Sequence, residues 1–555
     1  MKPQTLRQFR PAHRAVPVPE ITLYEGLEMS ARRFPERTAV CFYGAEISYA
    51  RLRAEVDALA GYLQQDCGVA KGDRVLLYAQ NSVQWIVGYY AIVRADAVVL
   101  PVNPMNLTEE LAHYIDDAGA KVALVGAELL DRIRPWLQPG KLQTLIAATY
   151  GDYLGATPLV DVPDVVAERP AIPAAPGIVA WADALAAARR PGPHRARPDD
   201  LAVMPYTSGT TGKPKGCIHT HRSLMTVLGV TAQLHELTQA DVVLSVAPFF
   251  HVTGMQPGMN AGLYNGSTLV VMTRWDREAA LTLIRELGIT VWIAVPTMVV
   301  DLLASPNITA DSLASLLHLT GGGATMPEPV ARRLHELTGL TFIEAYGMTE
   351  TAAATHSNPI NRPKRQCLGV PLFNVDSRIV DQVTLREVAV GEVGEIVVHG
   401  PQVFKGYWNS PQATAESFVP IDGKAFFRTG DLARRDEDGY FFMVDRLKRM
   451  INASGYKVWP AEVEAMMYEH PDIFEACIIG SRDAKRGETV KAVVVLKKGR
   501  EGRVGAADIV AWAKERMSTY KAPRIVQFAD ALPKSGTGKI LWRQLQDEED
   551  RRTAA

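Results

Sequence analysis

The spacing of hydrophobic residues predicts alternating strands and helices along the first two thirds of the chain. Apolar side chains recur every three or four residues over 48–65, which is the period of an amphipathic helix. Short apolar runs at 75–78 and 97–100 indicate buried strands, and 84–93 between them has a helical pattern. A strand, a helix and a strand at this spacing are typical of a parallel βαβ unit, and the pattern recurs to about residue 350.

This pattern is interrupted once and then changes. Residues 150–200 are rich in Pro, Ala and Arg, which predicts an irregular surface excursion rather than a domain. From residue 391 onward, short apolar runs such as 395–399 and 440–444 alternate with glycines and aspartates. We therefore expect a strand-and-turn region in the last third of the chain.

Composition narrows the class of protein. The 555 residues are enough for several folding units, and 47% of them are hydrophobic, as in an ordinary globular protein. Sixty Lys and Arg against 61 Asp and Glu argue against a nucleic-acid partner, because binding to phosphates needs a basic excess. Five widely spaced cysteines suit neither a disulfide framework nor a zinc site. Without a signal-peptide core or an apolar run near 18 residues, we expect a cytoplasmic enzyme with no transmembrane segment.

Charge is distributed unevenly along the chain. Residues 446–555 hold 21 Lys and Arg against 15 Asp and Glu, whereas the remainder holds 39 against 46. A small basic unit attached to a larger acidic one is consistent with a lid over an anionic ligand. A solvated basic surface without any ligand explains the same asymmetry, so the charge alone leaves both interpretations open.

The most informative segment is a run rich in Ser, Thr, Gly and Lys at 206–216. Its glycines allow successive N–H groups to converge on an anion, while Lys213 and Lys215 supply positive charge. It is not a Walker A loop, because Pro214 stands where that loop requires Ser or Thr. The residues that could grip a polyphosphate here are Thr207, Ser208, Gly209, Thr210 and Thr211.

This run resembles the signature loop of the adenylate-forming superfamily, which includes acyl- and aryl-CoA synthetases, peptide-synthetase adenylation domains and firefly-type luciferases. Further motifs in the family's order extend the resemblance from about residue 22 to 545, and it is closest to fatty acyl-CoA synthetases. The resemblance implies an α/β fold, with a large N-terminal domain of stacked α/β sheets and a β-rich subdomain over 1–445. A small mobile α+β domain would follow over 446–555, with a hinge at Lys448.

The resemblance also implies which residues bind the nucleotide. Tyr346 would lie against adenine, Asp431 would accept both ribose hydroxyls, and Arg446 would bond ribose or phosphate. Further nucleotide contacts are implied for Gly322, Gly323, Ala345 and Gly347.

Catalytic roles follow from the same resemblance. Thr349 would contact phosphate, and Glu350, together with Thr211, would organise Mg²⁺. Lys539, in a glycine-flanked motif near the end of the chain, would neutralise charge between the substrate carboxylate and the α-phosphate. Lys215 is the remaining residue with an implied catalytic role.

The resemblance further implies sites for CoA and for the acid. The CoA arm would pass Ser454, Gly455 and Tyr456, and the acyl pocket would be lined by His251, Val299, Gly321 and Ala324. Two departures stand out. Arg449 follows the hinge where many relatives have an acidic residue, and no aromatic gate is present near Val299, where some long-chain enzymes have one.

Together these features predict an AMP-forming acyl-CoA synthetase. It would convert a carboxylic acid, with a medium- to long-chain fatty acid as the first candidate, to an acyl-adenylate and then to a CoA thioester, using ATP, Mg²⁺ and CoA. Several alternatives stay open: an aryl or other acid, a carrier-protein thiol as acceptor, a luciferase-like oxygenase and a nucleotide-binding regulator. Peripheral membrane contact and a homodimer are also open.

Overall fold

The computed structural model describes residues 16–207, 214–446, 449–453, 456–483, 487–536 and 539–554. Among these residues the α-helices are α1 (Leu23–Arg33), α2 (Tyr49–Gln65), α3 (Val83–Arg94), α4 (Thr108–Ala118), α5 (Leu130–Ile133), α6 (Asp164–Ala167), α7 (Trp181–Ala186), α8 (His221–Leu234), α9 (Val252–Met255), α10 (Ala261–Asn265), α11 (Arg277–Leu287), α12 (Pro296–Leu303), α13 (Glu328–Thr338), α14 (Pro411–Glu416), α15 (Pro460–Met467), α16 (Ala506–Arg516) and α17 (Trp542–Ala554).

The strands are likewise numbered along the described chain. They are β1 (Thr38–Phe42), β2 (Ala45–Ser48), β3 (Arg74–Tyr78), β4 (Val98–Pro101), β5 (Val122–Gly126), β6 (Thr144–Ala148), β7 (Ile178–Ala180), β8 (Leu201–Val203), β9 (Tyr206–Thr207), β10 (Lys215–Gly216), β11 (His219–Thr220), β12 (Val242–Ser245), β13 (Thr268–Val271), β14 (Val291–Ala294), β15 (His318–Gly322), β16 (Phe342–Met348), β17 (Ala353–Ser357), β18 (Val370–Pro371), β19 (Asp376–Val380), β20 (Gly394–His399), β21 (Phe418–Ile421), β22 (Lys424–Arg435), β23 (Phe441–Arg446), β24 (Ile451–Ala453), β25 (Tyr456–Val458), β26 (Ile473–Asp483), β27 (Gly487–Leu496) and β28 (Ile525–Phe528).

Two largely parallel sheets form the N-terminal part. Within the described chain, nine strands make the larger sheet in the order β18-β17-β16-β15-β14-β12-β13-β1-β2, and seven make the other in the order β11-β8-β4-β3-β5-β6-β7. In the larger sheet β2, β17 and β18 are antiparallel additions to a parallel centre. Parallel strands require helical crossovers, and here the helices cover both faces of each sheet.

Alternation along the strands explains how the layers stack. Val75 and Leu77 of β3 face a central hydrophobic cluster between the two sheets, whereas Leu76 and Tyr78 face a second cluster covered by α4 and α5. Helix α3 lies in the central layer, where every residue from Val83 to Val93 is buried. Its sequence is therefore apolar on all sides rather than along one stripe.

A smaller antiparallel sheet follows the two large ones. Its order is β19-β20-β22-β21, and β23 also pairs with β22. Its buried side chains form a cluster with Tyr346 of β16, which joins this sheet to the nine-stranded sheet. The predicted β-rich region is therefore present, and its buried side chains contact Tyr346 near the end of β16.

The last part of the chain has its own hydrophobic core. Strands β24–β28 form a sheet packed against α15 and α16, and their buried residues form a cluster drawn entirely from positions after 450. Helix α17 is fixed to this sheet by a buried ion pair of 2.6 Å between Lys491 and Glu549, to which Ser481 also donates. Such a pair is stable only when further hydrogen bonds satisfy the carboxylate, as they do here. The predicted domain boundary at 445/446 stays a prediction.

The sequence patterns are mostly matched by the structure. Helix α2 covers the predicted 48–65, and β3, α3 and β4 form the predicted βαβ unit. The interpretation of residues 150–200 as an irregular excursion was wrong in part, because β7 forms the edge of the seven-stranded sheet and Trp181 is buried. A three-residue strand among prolines is too short to produce a periodic pattern.

Candidate active site

Close backbone packing shapes the carboxyl ends of β15 and β16. A β-carbon at Gly321 would lie 1.8 Å from the carbonyl oxygen of Ala294, and one at Gly322 would lie 2.2 Å from that of Ala345. No residue with a side chain fits so close an approach, so both positions require glycine. Gly323 follows with φ +87° and faces open space among the described residues. The strand ends therefore present an open backbone surface.

Tyr346 and Asp431 connect this surface to the smaller sheet. The Tyr346 hydroxyl donates a 2.7 Å hydrogen bond to Oδ2 of Asp431, and both side chains are buried. The Tyr346 ring lies 5.6 Å from the ring of His356. In the strand register Asp431 of β22 is paired with Arg446 of β23. An aromatic ring and a carboxylate are thus fixed to each other across two sheets.

Glu350 organises a second group directly after β16. The Tyr407 hydroxyl donates to Oε1 of Glu350 at 2.9 Å, and the N–H of Phe404 donates to the Glu350 backbone oxygen at 2.8 Å. Burial, followed by the Glu350 charge, raises the pKa of Tyr407 well above its usual range, so the phenol remains a donor. Nζ of Lys215 lies 5.2 Å from the centre of the same ring. The acidic Glu350 and the basic Lys215 therefore both contact the side chain of Tyr407.

A buried histidine fixes the backbone at Thr349. Nε2 of His219 lies 2.7 Å from the carbonyl oxygen of Thr349, and because a carbonyl only accepts, Nε2 carries the proton. Burial lowers the pKa of His219 to about 4, so the ring is neutral at pH 7. Sequence analysis missed both His219 and Tyr407. Their partners are 130 and 57 residues away along the chain, so no local pattern connects them.

The charge of the C-terminal lysine acts on a histidine in the segment that follows β12. Lys539 is exposed, and its N–H donates to Oγ of Ser535 at 3.2 Å. Burial, together with the nearby charge of Lys539, lowers the pKa of the His251 imidazole to about 4. Nδ1 of His251 also accepts from the Thr253 N–H at 3.3 Å and so caps α9. The charge of a lysine in the C-terminal part thus reaches a neutral histidine of the N-terminal part.

Comparison with known proteins identifies the family. The model for the AMP-binding enzyme matches residues 27–408, and the model for the AMP-binding enzyme C-terminal domain matches residues 462–539. The chain belongs to the AMP-binding enzyme family.

Similar proteins cover almost the whole of this AMP-binding enzyme. A long-chain-fatty-acid–CoA ligase from Bacillus subtilis is 34% identical over 542 residues, covering 96% of each chain. A feruloyl-CoA synthase from Amycolatopsis sp. is 35% identical over 514 residues, covering 92% of this chain and 96% of its own. ATP-bound MatB from Rhodopseudomonas palustris superposes with a TM-score of 0.82 at 30% identity, over 95% of this chain and 99% of its own. The predicted family, the α/β fold and the class of AMP-forming acid–CoA ligase are confirmed.

Several predicted site residues of this AMP-binding enzyme come together, and others do not. Thr207 and Lys215 are paired in the hairpin formed by β9 and β10. Val299 is fully buried in the cluster behind the nine-stranded sheet, whereas Ala324 and Gly347 are exposed. Arg446 and Tyr456 lie in β23 and β25. The predictions for Ser208, Gly209, Thr210, Thr211, Lys448, Ser454 and Gly455 fall outside the described residues.

Arg449 is built into the C-terminal part rather than exposed beside the hinge. Its guanidinium donates to the Glu464 carboxylate and, at 3.2 Å, to the carbonyl oxygen of Ile478, and it lies 5.4 Å from the ring of Trp542. Just before the predicted hinge, Oδ2 of Asp445 accepts from the Ala461 N–H at 2.8 Å, at the start of α15. Arg449, which stands where many relatives have an acidic residue, is therefore paired with the acidic Glu464 within the C-terminal part.

The part of the chain that the structure describes contains no cluster of three or more His, Cys, Asp or Glu side chains arranged to hold a metal. None of its helices is both long and apolar enough to cross a membrane.

Proposed function

We propose that this AMP-binding enzyme activates a medium- to long-chain fatty acid with ATP and transfers the acyl group to CoA. The observation that carries the proposal is that the loop holding Lys539 packs at Gly536 against Asn103 and Met105 of the N-terminal part. The charge of Lys539 also acts on His251, in the segment expected to face the acid. The long-chain-fatty-acid–CoA ligase of Bacillus subtilis, similar over 96% of this chain, supports the choice of acid.

The chemical difficulty of the first step is repulsion between two anions. A carboxylate oxygen of the acid attacks the α-phosphorus of ATP, the bond from that phosphorus to the bridging oxygen breaks, and pyrophosphate leaves with the electron pair. Lys539 and Lys215 lower the barrier by neutralising charge that concentrates on the phosphate oxygens. The substrate itself is the nucleophile, so the site needs no activated serine or cysteine.

The fixed residues around β16 hold the nucleotide in this proposal. Asp431 accepts hydrogen bonds from the ribose hydroxyls, Tyr346 lies against adenine, and the open backbone at Gly322 and Gly323 admits the flat base. The Glu350 carboxylate supplies hard oxygen donors that fit Mg²⁺, and Thr349 contacts phosphate. When bound, that ion supplies positive charge to the triphosphate oxygens.

The second step needs a different arrangement of the C-terminal domain. It turns about the hinge at Lys448, which withdraws Lys539 and brings the segment around Tyr456 to the acyl-adenylate. The CoA sulfur then attacks the acyl carbonyl carbon, and AMP leaves with the electrons of the broken carbon–oxygen bond. The pairing of Arg449 with Glu464 keeps the residue after the hinge attached to the domain that turns.

An aryl acid is the second candidate substrate. It is favoured by the absence of an aromatic gate near Val299 and by the 35% identity to a feruloyl-CoA synthase. The test is a panel of saturated acids of graded length together with ferulate and benzoate, measured as ATP-dependent loss of free CoA thiol. A preference for aryl acids would contradict the fatty-acid proposal, and pyrophosphate exchange without CoA consumption by any acid would favour a carrier-protein acceptor.

A further inference from the structure

We propose that His113, in α4, is a positioning residue for Lys215, at the end of the proposed phosphate-binding run. Nε2 of His113 lies 2.6 Å from the carbonyl oxygen of Pro214, and since a carbonyl only accepts, His113 donates this hydrogen bond. Pro214 immediately precedes Lys215, at the point where the chain leaves the run. The inference rests on the proposed role of the run in ATP binding.

Helix α4 also holds the strand that enters the run. The Tyr206 hydroxyl donates a 2.6 Å hydrogen bond to Oδ2 of Asp117, near the end of the same helix. The Tyr206 ring lies 4.8 Å from the ring of Tyr114 and 5.9 Å from that of His113. One helix therefore contacts both Tyr206 of β9 and Pro214, directly before β10.

The same helix is tied to the partner of Glu350. Nε1 of Trp408 donates to the backbone oxygen of Asp117 at 2.9 Å, and the Trp408 N–H donates to the Gly216 oxygen at 2.8 Å. Trp408 follows Tyr407, which binds Glu350 and lies under Lys215. Helix α4 is thus connected through Trp408 and Tyr407 to both Lys215 and the proposed Mg²⁺-binding carboxylate.

The segment before α4 reaches the loop that carries Lys539. A β-carbon added at Gly536 would lie 3.1 Å from Nδ2 of Asn103 and 3.1 Å from the sulfur of Met105. Residues 103–117 therefore contact the phosphate-binding run at one end and the C-terminal lysine loop at the other. We therefore assign the role of α4 to the adenylation step, because that step requires both the triphosphate and Lys539.

The triphosphate is present only before pyrophosphate leaves, so the bond from His113 should matter for adenylation and not for thioester formation. His113→Phe keeps a ring against Tyr206 but removes the donor, and we expect the KM for ATP in pyrophosphate exchange to rise by about 10-fold. We expect thioester formation from supplied acyl-adenylate to change by less than about 2-fold, because that step does not use the triphosphate. His113→Gln retains an N–H donor and should recover most of the loss. Glu109→Gln, at an exposed position of the same helix, is the matched control.

Two outcomes would overturn the inference while the proposed function stands: a wild-type KM in His113→Phe, or equal losses in both half-reactions. If His113→Phe does not fold, His113→Ala with added imidazole replaces it, and failure of imidazole to lower the KM for ATP would also overturn the inference. A wild-type enzyme that exchanges no pyrophosphate with any acid would instead refute the proposed function, and this inference with it.

Discussion

The strand ends proposed to face the nucleotide and the C-terminal lysine loop are built in opposite ways. At the strand ends, Gly321 and Gly322 pack directly against neighbouring backbone, and Tyr346 is hydrogen-bonded to a buried carboxylate. Lys539 is exposed, and its loop meets the N-terminal part through contacts around Gly536. One side of the site is fixed by packing, whereas the other is docked by a small set of surface contacts.

This difference separates two tasks of a two-step ligase. Gly321 and Gly322 pack too closely against neighbouring backbone to accept a side chain, so we expect the proposed nucleotide side to keep one shape through both steps. Exposed contacts are individually weak, about 0–1 kcal/mol for an ion pair, so a docked loop can leave without unfolding its domain. We therefore expect changes to the fixed side to affect binding and stability, and changes to the docked side to affect one chemical step.

The largest expected effect tests the docked side. Lys539→Ala should lower acyl-adenylate formation by about 10²- to 10³-fold, because it removes the cation that neutralises the reacting anions. Thioester formation from supplied acyl-adenylate should stay near the wild-type rate, and so should the melting temperature. Both half-reactions are measured separately, by pyrophosphate exchange and by thiol consumption.

The matched control for that variant is Lys534→Ala, in the same loop. Lys534 is paired with Glu475 at 2.6 Å within the C-terminal part, so its loss should leave both half-reactions within about 2-fold. Equal damage to the two half-reactions in Lys539→Ala would show that the lysine is not specific to adenylation.

Glu350→Gln tests the carboxylate that directly follows β16 and is proposed to bind Mg²⁺. The change keeps the hydrogen bond from Tyr407 but removes the charge, so we expect Mg²⁺-dependent pyrophosphate exchange to fall by about 10- to 100-fold. The half-saturating Mg²⁺ concentration should rise in the same experiment. Glu328→Gln, whose exposed carboxylate pairs with Arg365, serves as the control. Exchange with an unaltered Mg²⁺ dependence would rule out a metal role for Glu350.

Tyr346→Phe tests the fixed side with a smaller change. Removing the hydroxyl leaves the buried Asp431 without one of its donors, which should cost about 1–3 kcal/mol of stability or of nucleotide binding. We therefore expect a lower melting temperature and about a 10-fold higher Kd for ATP, with little change in the rate at saturation. A lower saturating rate with unchanged ATP affinity would contradict the binding role.

The sequence contains the fold class and most of the candidate site, but not the contacts that assemble it. Helix α2 and the β3–α3–β4 unit are predictable because their periods are regular and long enough to read. Glu350 and Asp431 stand in recognisable motifs, whereas Tyr407, His219 and His113 act through partners 57 to 130 residues away. No local period records such contacts, since they depend on how separate sheets and helices pack.

The smallest expected effect is the pH dependence of stability that arises from the buried His219 on the fixed side. Burial lowers the pKa of His219 in the folded protein from 6.5 to about 4. Between these two pH values the unfolded chain binds a proton at His219 and the folded protein does not. Stability should therefore be complete above pH 6.5 and fall as the pH drops toward 4. His219→Gln can still donate to the Thr349 carbonyl but does not titrate, so near pH 5.5 it should lose about 1 kcal/mol less stability than wild type does. Urea unfolding at pH 7.5 and pH 5.5 measures this difference, with the exposed His335→Gln as control. If the two variants lose stability equally on acidification, His219 does not contribute to the acid sensitivity of the site.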